Sequence, residues 1–271
     1  MSNVRGSDSG SPMRGGRTVR LGPVRHVEET GSTNADLVEL ADTAEVGSVL
    51  VAGHQTAGRG RLDRRWDAPP GANLLMSVLL RPTGGSDRRS LVTSTLAVAV
   101  VDVLTDLFGG QGPTVCIKWP NDVLLVEGDR PGKVAGILAE LVDGDPPAVI
   151  VGVGLNVGWP GPHDEGPPGA TSLAAAGVDS EPRLLLDPVL SSFGYWLGVL
   201  EAPEGVEAIR LQHLERSATI GQLVRIESPS GMVEGLAVDL AADGALIVEV
   251  DGGRREFRAG DVVHLRPLGP G

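Results

Sequence analysis

The segment Gln55 to Trp66 (QTAGRGRLDRRW) holds four arginines, two glycines and a tryptophan within twelve residues. Glycine lets a backbone approach a ligand closely, the arginine fork matches the oxygens of phosphate or carboxylate, and an indole offers a face on which a base can stack. The segment is not a P-loop, because GxxxxGK[ST] is absent. By itself it reads equally as a lid over an anionic ligand, as a nucleic-acid contact or as a solvated basic loop.

Of the 23 basic residues only Lys118 and Lys133 are lysine, in a chain that otherwise writes arginine. A compact ammonium at those two places points to sites where a planar guanidinium would not serve. Lys118 opens Lys118-Trp119-Pro120-Asn121-Asp122, which leaves a strand into a tight turn and would hold an amide and a carboxylate rigidly at the strand end; an Asx-type turn over a buried tryptophan is the structural alternative. Lys133 stands at the mouth of the apolar run Val134 to Leu138, where a lysine ordinarily snorkels to solvent. Asparagine behaves similarly: four of the five, Asn34, Asn73, Asn121 and Asn156, fall in segments of this kind. Gly152-Val153-Gly154-Leu155-Asn156 ends another apolar run. Without the strand, GxGxxG, helix order it is no dinucleotide fingerprint, but its small residues make room for a flat ligand or for a neighbouring strand.

The elements that must position these residues follow from periodicity. Val24 to Glu28, Ser48 to Gly53, Asn73 to Leu80, Val115 to Trp119, Val123 to Val126, Val134 to Val142 and Ala148 to Val153 read as strands. The near-continuous apolar ones fit a sheet covered on both faces. Gly31-Ser32-Thr33-Asn34 supplies cap residues for a helix over Ala35 to Ala41, and Arg89 to Phe108, Pro182 to Leu200 and Glu204 to Ser217 have helical spacing. The stretch from Gln55 to Ala72 is long and aperiodic, as functional or mobile loops are. Beyond Ile220 the pattern changes to five short strands with Asp243-Gly244 and Asp251-Gly252-Gly253 turns, the signature of a small β-barrel.

The expected organisation is a disordered Gly/Ser/Arg leader (1–20), an α+β domain (21–217), a small barrel (218–268) and a tail (269–271). The net charge of −12 argues against a protein that coats DNA or anionic membrane. No segment has the apolar length of a signal peptide or a membrane span. The single cysteine, Cys116, excludes an intrachain disulfide and fits a reducing cytoplasm.

Taken in order, Gly31 to Asn34, Gln55 to Arg61, Gly71-Ala72-Asn73-Leu74, Lys118 to Asp122, Lys133 to Leu138 and Gly152 to Asn156 closely resemble the catalytic domain of biotin-protein ligases, over residues 25 to 217, and the barrel resembles that family's C-terminal domain. The resemblance implies a mixed β-sheet flanked by helices, of the biotin/lipoate ligase and class II aminoacyl-tRNA synthetase-like fold, with an SH3-like barrel behind it. It also implies an enzyme-only type, lacking the N-terminal helix-turn-helix that some members carry. The implied reaction is ATP-dependent: biotin is activated as biotinyl-5′-AMP and passed to a lysine of a biotin carboxyl carrier domain, with Mg2+ accompanying ATP.

Carried over by motif, Ser32, Thr33, Asn34 and Gln55 would hold the ureido ring or its neighbourhood. Gly136, Gly152 and Gly154 would line the flat pocket, and Arg59, Gly60 and Arg61 would close over ligand and phosphates. Lys133 would neutralise the reacting oxygens, Trp66 would stack on adenine, and Asn156, which offers a donor and an acceptor, would lie near the nucleotide. Asn121 and Asp122 would orient metal, phosphate or the incoming amine. The catalytic set is thus Lys133, Arg59, Arg61 and Asp122, with no metal ligands assigned. A lipoate or other acyl-protein ligase is the nearest alternative, and a nucleic-acid-binding module a remote one.

Overall fold

The computed structural model describes residues 17–62, 64–228, 231–258 and 260–265. The leader up to residue 16, Asp63 of the arginine loop and the tail 269–271 lie outside them. Seven strands, β1 (Val24–Thr30), β2 (Val49–Gln55), β3 (Leu74–Leu80), β4 (Thr114–Lys118), β5 (Asp122–Glu127), β6 (Arg130–Val142) and β7 (Ala148–Leu155), form one sheet in the order β1-β2-β3-β7-β6-β5-β4. β1 and β2 run parallel and every other neighbouring pair antiparallel, so the sheet is mixed.

Alternation along the central strands sets the two faces. Met76 and Val78 of β3, Val151 and Val153 of β7, and Ala135 and Ile137 of β6 point into the main core, against α3 (Val92–Phe108) and α4 (Pro182–Glu201). The opposite face packs Leu79 and Ile150 against Leu37 and Ala41 near α1 (Thr33–Glu39), and leaves Ser77, Gly152, Gly154, Gly136 and Leu138 as its remaining surface. The functional cleft lies there.

The segment expected as one helix from Arg89 is two, α2 (Ser86–Ser90) and α3, meeting at Leu91; Gly109, at φ 55°, ends α3 in the left-handed conformation that glycine tolerates. α5 (Gly205–Glu215) closes the helical layer. Arg17 to Arg20, assigned above to a disordered leader, instead run along α4. The Val19 N–H donates to the Gly194 carbonyl at 2.9 Å, and a Cβ at Gly194 or Gly198 would collide with the carbonyls of Val19 and Arg17.

The five C-terminal strands, β8 (Leu223–Ser228), β9 (Gly231–Leu240), β10 (Leu246–Val250), β11 (Gly253–Phe257) and β12 (Asp261–His264), form an antiparallel sheet ordered β11-β10-β9-β8-β12. Its core contains one residue from far upstream. Trp119 is buried among Val224, Ile226, Leu246 and Val248, its indole N–H donates to the Gly244 carbonyl at 2.9 Å, and its backbone N–H donates to Thr219 Oγ1 at 3.0 Å. The turn carrying Asn121 and Asp122 is thereby anchored in the second sheet.

Candidate active site

A cleft of about 600 Å³ opens over the site face of the first sheet. Its floor is glycine. A Cβ at Gly154 would stand 2.3 Å from Trp66 Cε2, one at Gly136 would stand 2.8 Å from Trp66 Cζ3, and one at Gly152 would stand 2.2 Å from Asn34 Oδ1. Any larger residue would displace the groups that roof the floor, which is the physical reason for glycine at these three positions.

Lys133 reaches this face through a β-bulge. Ala135 pairs with Val123 and Lys133 with Leu124, so Val134 is an extra residue on β6, and both Val134 and Ala135 turn into the core. The parity of side chains reverses there. Lys133 consequently shares a side with Gly136, and its Nζ lies 3.0 Å from the Cβ position of that glycine. The ammonium pairs with Asp122 Oδ1 at 2.6 Å and stands 5.3 Å from the centroid of the Trp66 ring.

The other end of the cleft is built from uncharged hydrogen-bonding groups. Ser32 caps α1 through the Ala35 N–H, which places Thr33 and Asn34 in its first turn, over the floor. Gln55 Oε1 accepts from the Thr33 N–H at 2.8 Å. Thr33 Oγ1 lies 2.6 Å from Ser77 Oγ, which donates to Asn34 Oδ1 at 2.6 Å. Asn34 Nδ2 donates to the Leu138 carbonyl and, at 2.9 Å, to Glu140 Oε2.

The arginine loop folds as a tight hairpin above the floor, with Gly60 N–H to Arg64 O at 2.6 Å and Trp66 N–H to Gly58 O at 2.9 Å. Its arginines divide between the two ends. Arg59 Nη2 straddles the Glu140 carboxylate at 3.0 and 3.2 Å, whereas Arg61 Nη1 donates to Asn121 Oδ1 at 3.4 Å, at the Lys133 end. Burial pulls the Arg61 guanidinium below its ordinary pKa, and the carboxylates of Asp261 and Asp122 oppose that shift. Arg64 pairs with Asp261 of β12.

Every residue expected at the site lines this cleft: Ser32, Thr33, Asn34, Gln55, Arg59, Gly60, Arg61, Trp66, Asn121, Asp122, Lys133, Gly136, Gly152, Gly154 and Asn156. Two differ from expectation in what they do there. Asn156 braces the wall, because its Oδ1 accepts from Asn73 at 2.9 Å and its Nδ2 donates to the Thr171 carbonyl at 2.9 Å; the free donor and acceptor expected of it are already used. The Asn34 amide is likewise committed within the protein. Trp66 rests one face on the glycine floor, and its indole nitrogen is buried without a hydrogen-bond partner among the described residues.

Sequence reasoning missed Ser77 and the wall contributed by Asp261 to His264, and also Glu140, which stands outside the lining and holds Asn34 and Arg59 from behind. His264 is held below its ordinary pKa by burial and by the nearby Lys118 charge. Among the described residues no group of three or more His, Cys, Asp or Glu side chains is arranged to hold a metal ion by itself.

Comparison with known proteins follows the same two regions. The family described as "Biotin/lipoate A/B protein ligase family" matches residues 26–156, and "Biotin protein ligase C terminal domain" matches residues 219–265. The chain is 40% identical over 252 residues to a biotin–[acetyl-CoA-carboxylase] ligase of Mycobacterium tuberculosis, covering 89% of this chain and 88% of that protein. It is 34% identical over 239 residues to the ligase of the same name from Paracoccus denitrificans, covering 86% and 97%. The biotin protein ligase from Aquifex aeolicus, solved in complex with biotin and ATP, superposes with a TM-score of 0.72 at 26% identity, covering 90% of this chain and 98% of that one.

Proposed function

The chain belongs to the biotin/lipoate A/B protein ligase family, and from that premise we propose how its cleft activates biotin with ATP and passes the biotinyl group to a lysine of a carrier domain. One observation carries the reading. The cleft is two-ended, with neutral hydrogen-bonding groups around Thr33, Ser77 and Gln55 at one end and the bulge-presented Lys133 with Arg61 at the other, joined by the glycine floor. A ligand with an uncharged polar head, a thin apolar tail and a terminal carboxylate matches that order, and biotin is such a molecule.

In the first step the carboxylate attacks the α-phosphorus of ATP, forming the mixed anhydride and releasing pyrophosphate. Negative charge concentrates on the reacting oxygens, and preorganised cations in a partly dry cleft are the strongest available means of stabilising it. Lys133 supplies a movable point charge and Arg61 a planar fork from the lid. Trp66 offers its open face to adenine. In the second step the carrier amine attacks the anhydride carbonyl and AMP leaves. Asp122, anchored through its turn to the second sheet by Trp119, would orient that amine.

The donor set fits a magnesium ion shared with nucleotide phosphates. Magnesium is ordinarily held by one or two carboxylates with phosphate oxygens and water, and Asp122 with the Asn121 amide supplies such a set. When bound, the ion neutralises phosphate charge. The remaining work of orientation falls to the side chains named above.

No helix among the described residues is long and apolar enough to cross a membrane, and we place the enzyme in the cytoplasm with its carboxylase carriers. The reading is tested by incubating the protein with ATP, biotin and a purified biotin carboxyl carrier domain. Biotin should appear on the carrier lysine, detected with streptavidin, and a carrier with that lysine changed to arginine should stay unlabelled. An unlabelled wild-type carrier would contradict the reading.

A further inference from the structure

Glu140 is a carboxylate that stands behind the neutral end of the cleft, outside its lining but in contact with two residues that line it, Asn34 and Arg59. It lies on the site face of β6, seven positions beyond Lys133, a separation of roughly 20 Å at about 3.3 Å per residue. Its oxygens meet two partners from different elements, Arg59 Nη2 of the lid at 3.0 and 3.2 Å and Asn34 Nδ2 of α1 at 2.9 Å.

The direction of the hydrogen bonds between Thr33 and Glu140 follows from proton counting. A carboxylate only accepts, so Asn34 must present its NH2 to Glu140, which turns its Oδ1 towards Ser77. The Ser77 hydroxyl proton then goes to Asn34, and Ser77 Oγ is left to accept from Thr33 Oγ1. The Ser77 and Asn34 donors therefore point towards Glu140, while the single Thr33 hydroxyl proton is shared between Ser77 Oγ and Gln55 Oε1, which lies 3.0 Å from Thr33 Oγ1. Thr33 Oγ1 keeps its lone pairs as acceptors, and Gln55, whose Oε1 is held by both the Thr33 N–H and the Thr33 hydroxyl, is left with its NH2 as donor. A cyclic urea has N–H donors and a carbonyl acceptor, which complement such a pair.

The same carboxylate supplies the counter-charge that holds Arg59 down over this end. At the Lys133 end the ligand's own carboxylate and phosphates would play that part; at the uncharged head end the ligand brings none.

On the proposed reading of the cleft as a biotin site, we infer that Glu140 is a positioning residue that fixes the polarity of the head-group network and fastens the Arg59 half of the lid above it. It acts through Asn34 and Arg59 and touches neither the nucleotide nor the reacting atoms.

The test is pyrophosphate release with Glu140→Gln, an isosteric change whose amide can donate as well as accept. KM for biotin should rise about tenfold or more, the scale of one charge-assisted hydrogen bond, while kcat at saturating biotin and KM for ATP stay within about threefold. Arg59→Gln should raise the biotin KM as well, and in the double variant that KM should be no higher than in the more impaired single one, because both act through one contact. The inference is overturned if the Glu140→Gln biotin KM matches wild type, if biotin and ATP KM rise together, or if the two substitutions multiply. Limited proteolysis of residues 58–66 gives a second reading without turnover. Faster cleavage in Glu140→Gln at unchanged melting temperature supports the fastening, and unchanged cleavage contradicts it. If wild type released no pyrophosphate with biotin, the proposed function would fail, and the proteolysis comparison would still decide whether Glu140 holds the lid.

Discussion

Replacing Lys133 by arginine keeps the charge and changes only its shape, so it isolates what the bulge achieves. The ammonium sits 2.6 Å from Asp122 Oδ1 and 5.3 Å from the Trp66 centroid, with the floor at Gly136 directly beneath it. An arginine extends one bond further and ends in a plane of three nitrogens. To pair with Asp122 it must either lift Trp66 from the glycine floor or swing away from the line joining carboxylate and phosphate. Removing one well-placed stabilising donor at a reacting oxygen costs about 3–4 kcal/mol, or about 10²–10³ in rate. We expect Lys133→Met to lose about that much of the adenylation kcat, and Lys133→Arg about 10²-fold, because its charge persists in the wrong place. Single-turnover formation of the adenylate from biotin and ATP measures the step directly. Thermal melting should show that both variants remain folded, since the Lys133 side chain is one-third exposed at a strand edge of the cleft. Adenylate formation by Lys133→Arg at near wild-type rate would refute the geometric argument.

Three further outcomes follow from the structure. Gly154→Ala should weaken biotin binding about tenfold, because the added methyl would lie 2.3 Å from Trp66 Cε2 and drive the indole off the floor; calorimetric titration with biotin checks this, and wild-type affinity would show that the floor does not set the slot. Stability should fall as pH drops from 6.5 towards 4, because His213 is buried with only Ser94 Oγ beside Nδ1 and its pKa is pushed down from 6.5 to about 4 by that burial. The unfolded chain takes up a proton that the folded one resists, so this contribution of about 3 kcal/mol is complete above pH 6.5 and lost as pH approaches 4; His213→Gln should flatten that part of a denaturation-versus-pH curve. The hairpin 58–66 should be cut by protease more slowly when biotin and ATP are present, since bound carboxylate and phosphates would relieve repulsion among its arginines; equal cutting in both states would remove its role as a gate.

Much of this fold was legible because the central strands keep period two. Val151 and Val153 face the core while Gly152 and Gly154 face the cleft, so the same alternation that announces a strand also announces the pocket floor. The two lysines stood out from composition, and Lys133 proved to be the cleft's cationic end. How it gets there was not legible. A bulge at Val134 is a register difference between β5 and β6 and leaves no local mark in one strand's sequence. Trp119 lay in a segment already singled out, yet its burial among residues more than 100 positions later is a tertiary fact. Glu140 looks like the outward residue of an apolar strand until Asn34 and Arg59, from two distant segments, are brought to it. At Asn156 the sequence suggested an amide offered to a ligand, and what it did not show is that Asn73 and the Thr171 carbonyl engage both ends of that amide within the protein.

The two-ended cleft joins a neutral hydrogen-bonding head site to Lys133 by a glycine floor. Pyrophosphate release from ATP, measured side by side with biotin, lipoate and octanoate, tests it. All three acids carry the carboxylate that Lys133 and Arg61 would meet, and only biotin carries the cyclic urea that Thr33 and Gln55 are set to hold. Release with biotin at least about 10²-fold above the other two in kcat/KM is the predicted result, since a site built for hydrogen bonds rejects ligands that leave its polar groups unpaired. Equal release with lipoate or octanoate would contradict it.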